Sequence, residues 1–262
     1  MDRRLTYPDI ARILGTGLIS TGLGLLLFVM ITVVWGDPFT RLAEQGEQQQ
    51  LEKAFRTSAP TARELQVAQL DPELTRLSAA RALKASALGT QAGRISIPKI
   101  KVNKIFIHGA RDQDLTKGPG LYKEVGFPGS GRPIALAGHR TTHGAPFLNI
   151  DKLSPGDKIV LTVPYGEFTY TVTRAEIITP DDWSILQFGA AERTKNARAN
   201  VLAAGRCTAT CEHLVLTACH PKYSASHRIA VFSRLTGVKL RKAPSAAAGV
   251  AAKPAAGASK RT

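Results

Sequence analysis

Cysteine and aromatic residues are scarce in this 262-residue chain, which has three cysteines and 6% Phe, Trp and Tyr. Three cysteines are too few for a scaffold built on disulfides, and their odd number leaves at least one thiol free, reactive or bonded to another chain. The formal net charge is +15, yet the basic residues have few aromatic neighbours that could stack on bases. We therefore expect no nucleic-acid partner, since an anionic cell envelope explains the charge more simply.

Charged residues are absent from residues 13–35, a stretch long enough to span a hydrocarbon core of about 30 Å as a helix. A cleaved signal peptide is the alternative, but the apolar run is longer than a signal-peptide core and no small-x-small cleavage pattern follows it. Three arginines precede the run, and no Lys or Arg follows until Arg41. The positive-inside rule predicts a cytoplasmic tail at 1–12, a transmembrane anchor at 13–35 and the remaining chain outside the cell.

Two flanking regions differ from the rest of the chain. Residues 36–90 are predicted to form a stalk or linker, because the Gln- and Glu-rich run from Glu44 to Glu52 can bury little. Within this region Asp71-Pro72 predicts a helix start, with an N-cap side chain before a proline, and the helix would run to about residue 88. Residues 241–262 are rich in Ala, Pro, Lys and Gly, and are predicted to be a disordered basic tail.

Residues 91–240 contain short β-type segments that recur between Gly and Pro turns, a pattern typical of a closed barrel or a sandwich of about seven or eight strands. A short helix is predicted near Pro146–Leu153. The predicted strands are Arg94–Ile97, Lys104–His108, Pro133–Ala137, Lys158–Val163, Phe168–Ile178, Leu214–Ala218 and Ile229–Leu235.

Two of these segments deliver reactive side chains at their ends. The apolar strand that leads to Cys219 is stopped by Pro221, and the loop to Arg228 is of hairpin length, so Arg228 is expected beside Cys219. A second apolar strand ends at His139, and Cys and His at two strand ends can meet in space. Imidazole can stabilise a thiolate and protonate a leaving amine, and a guanidinium suits a developing oxyanion. The combination predicts Cys219 as nucleophile, His139 as general acid/base and Arg228 as charge stabiliser.

The segments Gly138–Phe147, Cys219–Arg228 and Gly118–Tyr122 resemble the corresponding segments of sortases, the cysteine transpeptidases of the Gram-positive cell surface, and most closely class E sortases of actinobacteria. The resemblance runs from about Arg94 to Leu235. It implies an eight-stranded β-barrel with short helices, preceded here by the transmembrane helix, and the same roles for the Cys, His and Arg.

The implied reaction cuts the Thr–Gly bond of a Leu-Ala-x-Thr-Gly or Leu-Pro-x-Thr-Gly sorting signal through a thioacyl enzyme. The implied partners are surface proteins with a C-terminal sorting signal, a peptidoglycan precursor or other amine acceptor, and membrane lipid. No cofactor is expected. The resemblance makes Tyr122, Thr217, Ala218 and His143 candidate substrate-binding residues.

Three positions depart from the family pattern. Ala218 lacks the hydroxyl that usually precedes the nucleophile, so we expect weaker oxyanion or substrate stabilisation with activity retained. His143 stands where the subgroup often has Tyr, and Leu121 replaces a His of the Gly-Pro-Gly-His-Tyr stretch. These departures motivate a catalytically silent module that binds sorting signals as one alternative. A pilin-polymerising sortase is kept as another, because the sequence does not distinguish its lysine acceptor from a wall precursor.

Two other groupings suggest different chemistry. His139 and His143 have the spacing of a metal pair on a helix, but the surrounding Gly and Pro favour a loop, so no metal is expected there. Cys207 and Cys211 close an insertion at about 187–212. They could form a small disulfide, stay as free thiols, or bind zinc with His213, in that order of preference.

Overall fold

The computed structural model describes residues 7–35, 38–58, 72–182 and 212–241. Among these residues, three helices precede the barrel, namely α1 (Tyr7–Trp35), α2 (Pro38–Thr57) and α3 (Pro72–Ala85). A short helix α4 (Asp112–Leu115) and 3₁₀ turns at Pro98–Ile100 and Ile150–Lys152 lie between strands. The strands are β1 (Gln91–Ile97), β2 (Val102–His108), β3 (Gly120–Leu121), β4 (Ile134–Ala137), β5 (Lys158–Val163), β6 (Gly166–Ile178), β7 (His213–His220) and β8 (His227–Leu240).

The eight strands of the described residues close into a barrel in the order β1-β2-β3-β4-β7-β8-β6-β5. Neighbouring strands are antiparallel, except that β3 runs parallel to β2 and β7 runs parallel to β4. The predicted eight-stranded barrel is confirmed. All seven strands predicted from the sequence are present, and β3 was missed because two residues are too short for a periodic pattern. The short helix predicted near Pro146–Leu153 is the 3₁₀ turn Ile150–Lys152.

Apolar side chains fill the barrel, and the strand patterns explain how. Along β6, buried and more exposed residues alternate from Gly166 to Val172, as expected for a strand with one face toward the core. All four residues of β4 are buried. The strand that leads to His139 is therefore enclosed by the core, which restricts how far this end of the strand can move.

Helix α2 packs on the outside of the barrel against β2. Leu51 is buried against Ile105 and Ile107, whereas Phe106 between them points into the barrel. The Gln48 side chain accepts a hydrogen bond from the Ile105 N–H at 2.8 Å and donates to the Ile105 carbonyl at 2.9 Å. Strand β3 pairs with β2 only at Ile107 and His108, so Gln48 supplies the hydrogen bonds for the N–H and carbonyl groups of Ile105. Part of the region predicted as a stalk is therefore docked on the barrel.

The other predicted segments lie partly outside the described residues. Helix α3 begins at Pro72, where the sequence predicts a helix start, and its Ala79 is buried in the barrel core. Within α1, the 21-residue stretch Ala11–Ile31 is long and apolar enough to cross a membrane, and its side chains are not buried by other residues. The candidate disulfide Cys207–Cys211, most of the insertion and residues 242–262 are not among the described residues.

A buried carboxylate fixes the beginning of β7. Glu212 accepts hydrogen bonds from the N–H groups of Gly129 at 3.0 Å and Gly131 at 2.7 Å, and from the Tyr170 hydroxyl at 2.5 Å. Burial and the Glu212 charge together raise the pKa of Tyr170 well above its ordinary value, so this phenol stays a donor. Glu212 therefore ties the turn before β4 and a central residue of β6 to the point where β7 starts.

Replacing Glu212 with Gln turns one acceptor oxygen into a donor that faces other donors. We expect the free energy of unfolding to fall by about 1–3 kcal/mol, measured by urea denaturation of the full chain in detergent with circular dichroism. Glu167→Gln, at an exposed position of β6, is the control and should change the value by less than about 0.5 kcal/mol. Equal losses in the two variants would contradict the role of Glu212.

Candidate active site

The parallel pairing of β4 and β7 brings His139 toward Cys219. Ala137 is the partner of Thr217 in this ladder, and the Gly138 N–H donates to the Thr217 carbonyl at 3.0 Å. Because the two strands run in the same direction, the residues that follow the pair lie at the same end of the barrel. Gly138 is required at the junction, since a Cβ there would lie 2.5 Å from the Phe147 ring.

Arg228 lies directly across from Cys219 in the antiparallel ladder of β7 and β8. Side chains of such a pair are neighbours, with Cβ atoms about 5 Å apart. The Nη1 of Arg228 donates to the carbonyls of Ala225 at 3.0 Å and His227 at 2.9 Å, so the hairpin loop holds the guanidinium. Cys219 is a free and half-buried thiol. The structure thus places these two residues side by side, as the hairpin-length loop predicts.

His139 is half-buried, and its ring stacks on that of His143 with 4.6 Å between centroids and 29° between planes. Burial lowers the pKa of His139, the His143 charge lowers it further, and Asp112 acts in the opposite direction. The neutral imidazole is therefore favoured. Its buried Nε2 atom has no hydrogen-bond partner within the described part of the chain.

Two of the candidate substrate-binding residues meet beside the nucleophile. The Tyr122 hydroxyl lies 3.0 Å from Thr217 Oγ1. Burial raises the pKa of Tyr122, and the hydrogen bond with Thr217 and the Arg228 charge oppose that increase. Because Thr217 lies two residues before Cys219 on β7, this contact places Tyr122 at the same end of the barrel as Cys219.

Ala218 is placed differently from the substrate contact predicted for it. Its side chain is 3% exposed and belongs to the hydrophobic core. Alternate residues of a strand face opposite sides, so Ala218 points away from the side that carries Thr217 and Cys219. The methyl group of Ala218 is a packing group, and a hydroxyl at this position would enter the core. His143, the remaining candidate, lies against the His139 ring.

Arg140 was missed in the sequence, although it directly follows His139. It is 3% exposed, its Nη1 donates to the Cys219 carbonyl at 3.1 Å and lies 2.9 Å from His220 Nδ1, and its Nη2 pairs with Asp151 at 3.1 Å. One buried guanidinium therefore connects the histidine loop with the backbone of the nucleophile. The sequence signal for this residue is an arginine directly after an apolar strand and a histidine. That Arg140 is buried is decided by tertiary contacts.

A free cysteine, a half-buried histidine and an arginine at one end of a closed barrel is an arrangement suited to a cysteine-dependent acyl-transfer enzyme. The family model described as "Sortase domain" matches residues 95–236, which is more than half of the chain. The chain belongs to the sortase family, whose members are cysteine transpeptidases. The resemblance predicted from the sequence is therefore confirmed.

Individual relatives give the same result. The chain is 33% identical to Sortase D of Bacillus subtilis over 133 residues, which cover 51% of this chain and 56% of that protein. It is 30% identical to Sortase A of Bacillus anthracis over 170 residues, 62% of this chain and 78% of that protein. A solved structure of Sortase E1 from Streptomyces coelicolor, with a tripeptide in its active site, matches with a TM-score of 0.50 and 26% identity. That match covers 60% of this chain and 94% of the solved chain.

The charges of His143 and Asp112 act on the pKa of His139 in opposite directions, so removing each charge should shift that pKa in opposite directions. His143→Gln removes a charge that lowers the His139 pKa, so that pKa should rise. Asp112→Asn removes the opposing charge, so the pKa should fall further. Imidazole NMR titration of the full chain measures both shifts. His213→Gln, at the opposite end of β7, should leave the His139 titration unchanged, and shifts of the same sign in the first two variants would contradict this electrostatic account.

Proposed function

We propose that this protein is a membrane-anchored transpeptidase that uses Cys219 as nucleophile, His139 as general acid/base and Arg228 as oxyanion stabiliser. The observation that carries the proposal is the cross-strand pairing of Cys219 with Arg228, beside the strand that leads to His139. Membership of the sortase family supports the same assignment.

In the first half of the reaction, the Cys219 sulfur attacks the carbonyl carbon of the substrate Thr. The lowered pKa of His139 favours a neutral imidazole, which takes the thiol proton as the S–C bond forms. Arg228 faces the negative charge that develops on the carbonyl oxygen. The C–N bond to Gly then breaks, His139 returns the proton to the leaving amine, and a thioacyl enzyme remains.

The second half reverses these roles with a different amine. The amine nitrogen attacks the thioester carbon and gives a proton to His139. The C–S bond breaks, and His139 reprotonates the sulfur, which restores the free thiol. The net result exchanges one amide bond for another, so the reaction needs no cofactor or energy source.

The donor substrate is a surface protein with a Leu-Ala-x-Thr-Gly or Leu-Pro-x-Thr-Gly sorting signal, and the acceptor is a peptidoglycan amine. We assign Tyr122 and Thr217, whose hydroxyl groups are in contact, to binding the residues before the scissile bond. The tripeptide in the active site of the Streptomyces relative supports a peptide substrate. Helix α1 is the proposed membrane anchor, and the arginines at its N-terminal end favour an N-terminus inside and a barrel outside.

Turnover of peptide substrates tests the chemistry. The full chain in detergent is incubated with fluorogenic peptides that carry either motif and with an amine acceptor. We expect cleavage at Thr–Gly, abolished by Cys219→Ala and lowered in kcat by about a hundredfold in Arg228→Lys, because ammonium does not reproduce the guanidinium geometry. Arg234→Lys, at an exposed position on the same strand, should retain full activity.

Failure to cleave either peptide, with a folded barrel and a reduced Cys219, would contradict the proposal and favour the silent binding module. Products that form only with a lysine amine of a pilin-like acceptor would instead indicate the polymerising alternative. Equal losses in Arg228→Lys and Arg234→Lys would contradict the role of Arg228.

The orientation of the chain is tested separately by thiol labelling. In a chain whose native cysteines are replaced by Ser, Ser58→Cys at the exposed end of α2 should react with a membrane-impermeant maleimide on intact cells. Asp2→Cys, before the apolar helix, should react only after the cells are permeabilised. The reverse pattern would contradict an outward-facing barrel.

A further inference from the structure

The loop that follows His139 has an unfavourable backbone. His143, Gly144 and Ala145 have φ values of 49°, 69° and 44°, so three consecutive residues are left-handed and two of them are not glycine. Such conformations persist only where the surrounding structure holds them. In this loop the His143 ring stacks on that of His139. Whatever holds the loop therefore also sets the surroundings of His139.

Helix α2 contacts this loop from outside the barrel. The Thr40 hydroxyl, in the first turn of α2, accepts a hydrogen bond from the His143 N–H at 3.1 Å. One turn further, Glu44 packs against Gly144 so closely that a Cβ on the glycine would lie 2.5 Å from the carboxylate. Two of the three left-handed residues are thus in contact with α2.

The helix is itself fixed to the barrel where it makes these contacts. Glu44 is 1% exposed, and both of its carboxylate oxygens accept from Lys104 Nζ, at 2.8 and 2.7 Å. Gln48 binds both backbone groups of Ile105 and also donates to the Lys117 carbonyl at 2.7 Å. These contacts fix α2 on β2, so Thr40 is presented to the loop by a docked helix.

We propose that α2 positions the catalytic histidine, with Thr40 as the positioning residue that holds the His143 loop against His139. The inference rests on the proposed function, because it takes His139 as the proton-transfer group. It assigns to the helix directly beyond the apolar α1 a part in the active site, which this helix exerts through the His143 loop. The barrel at 91–240 would then lack part of its catalytic geometry when α2 is removed or displaced.

Thr40→Val tests the proposal, because valine keeps the shape of threonine and removes the hydroxyl acceptor. In the full chain in detergent we expect kcat for peptide cleavage to fall about three- to tenfold, with KM unchanged, since Tyr122 and Thr217 are not affected. Thr40→Ser restores the acceptor and should retain the parent kcat. Thr57→Val on the same helix is the matched control, because among the described residues the Thr57 hydroxyl bonds to carbonyls of its own helix.

Amide hydrogen exchange supplies a measurement that does not depend on turnover. Exchange in residues 139–147 should accelerate in Thr40→Val, because the His143 N–H loses its acceptor, while exchange in the barrel strands stays unchanged. Thr40→Ser and Thr57→Val should exchange as the parent does.

The kcat and the amide exchange rates together distinguish a failure of the role of Thr40 from a failure of the proposed function. Faster exchange with unchanged or increased kcat in Thr40→Val would overturn the proposal, because the contact would then hold the loop without assisting catalysis. Unchanged exchange would also overturn it, because Thr40 would not hold the loop. If Cys219-dependent turnover is absent in the parent chain, the proposed function fails, and the exchange result alone decides whether Thr40 orders the loop.

Discussion

The ladder between β4 and β7 is the interaction on which the geometry of the active site depends. These strands are far apart in sequence and run parallel, so each delivers its last residues to the same end of the barrel. The Gly138 N–H extends the ladder by one hydrogen bond, and the buried Arg140 then binds the carbonyl of Cys219. A shift of one residue in this register would turn Cys219 toward the core and Ala218 toward the side of the strand that now carries Cys219.

Burial gives the site its electrostatic character. His139 is partly removed from water and lies close to the His143 charge, and both effects lower its pKa and disfavour its charged form. Arg140 and Arg228 are cations that lie close to Cys219, one at its backbone carbonyl and one across the ladder. The arrangement therefore combines a neutral base with fixed positive charge, which suits a reaction that develops negative charge on sulfur and oxygen.

The docked helix α2, which follows the apolar helix α1, connects that part of the chain with this site. Leu51 supplies apolar burial against β2, Gln48 satisfies backbone groups that the short β3 leaves unpaired, and Glu44 forms an ion pair with Lys104. Each contact uses a different kind of interaction, and together they fix one register of the helix along the strand. Thr40 thereby meets the strained loop after His139, so the contacts of the helix and the conformation of the loop depend on each other.

The local sequence pattern by itself determined most of the strands and the three main residues of the site. Alternating apolar and polar residues, together with turns marked by Gly or Pro, predict seven strands, because each of these signals is contained within a few consecutive residues. Cys219, His139 and Arg228 follow from their positions at strand ends, and the short loop after Pro221 predicts that Cys219 and Arg228 pair. The family motifs in the same segments then predict the barrel, which the closed sheet confirms.

Contacts between distant segments decided the rest. The strand β3 exists because β2 and β4 pair with its two residues, although those residues have no strand pattern of their own. The burial of Arg140 and of Ala218 depends on which strands meet and which way each residue points. The Gln- and Glu-rich stretch of α2 can bury little by composition, yet Glu44 is enclosed because Lys104 on another element compensates its charge. Composition reports the average cost of burying a residue, whereas the tertiary structure supplies the particular partner that offsets that cost.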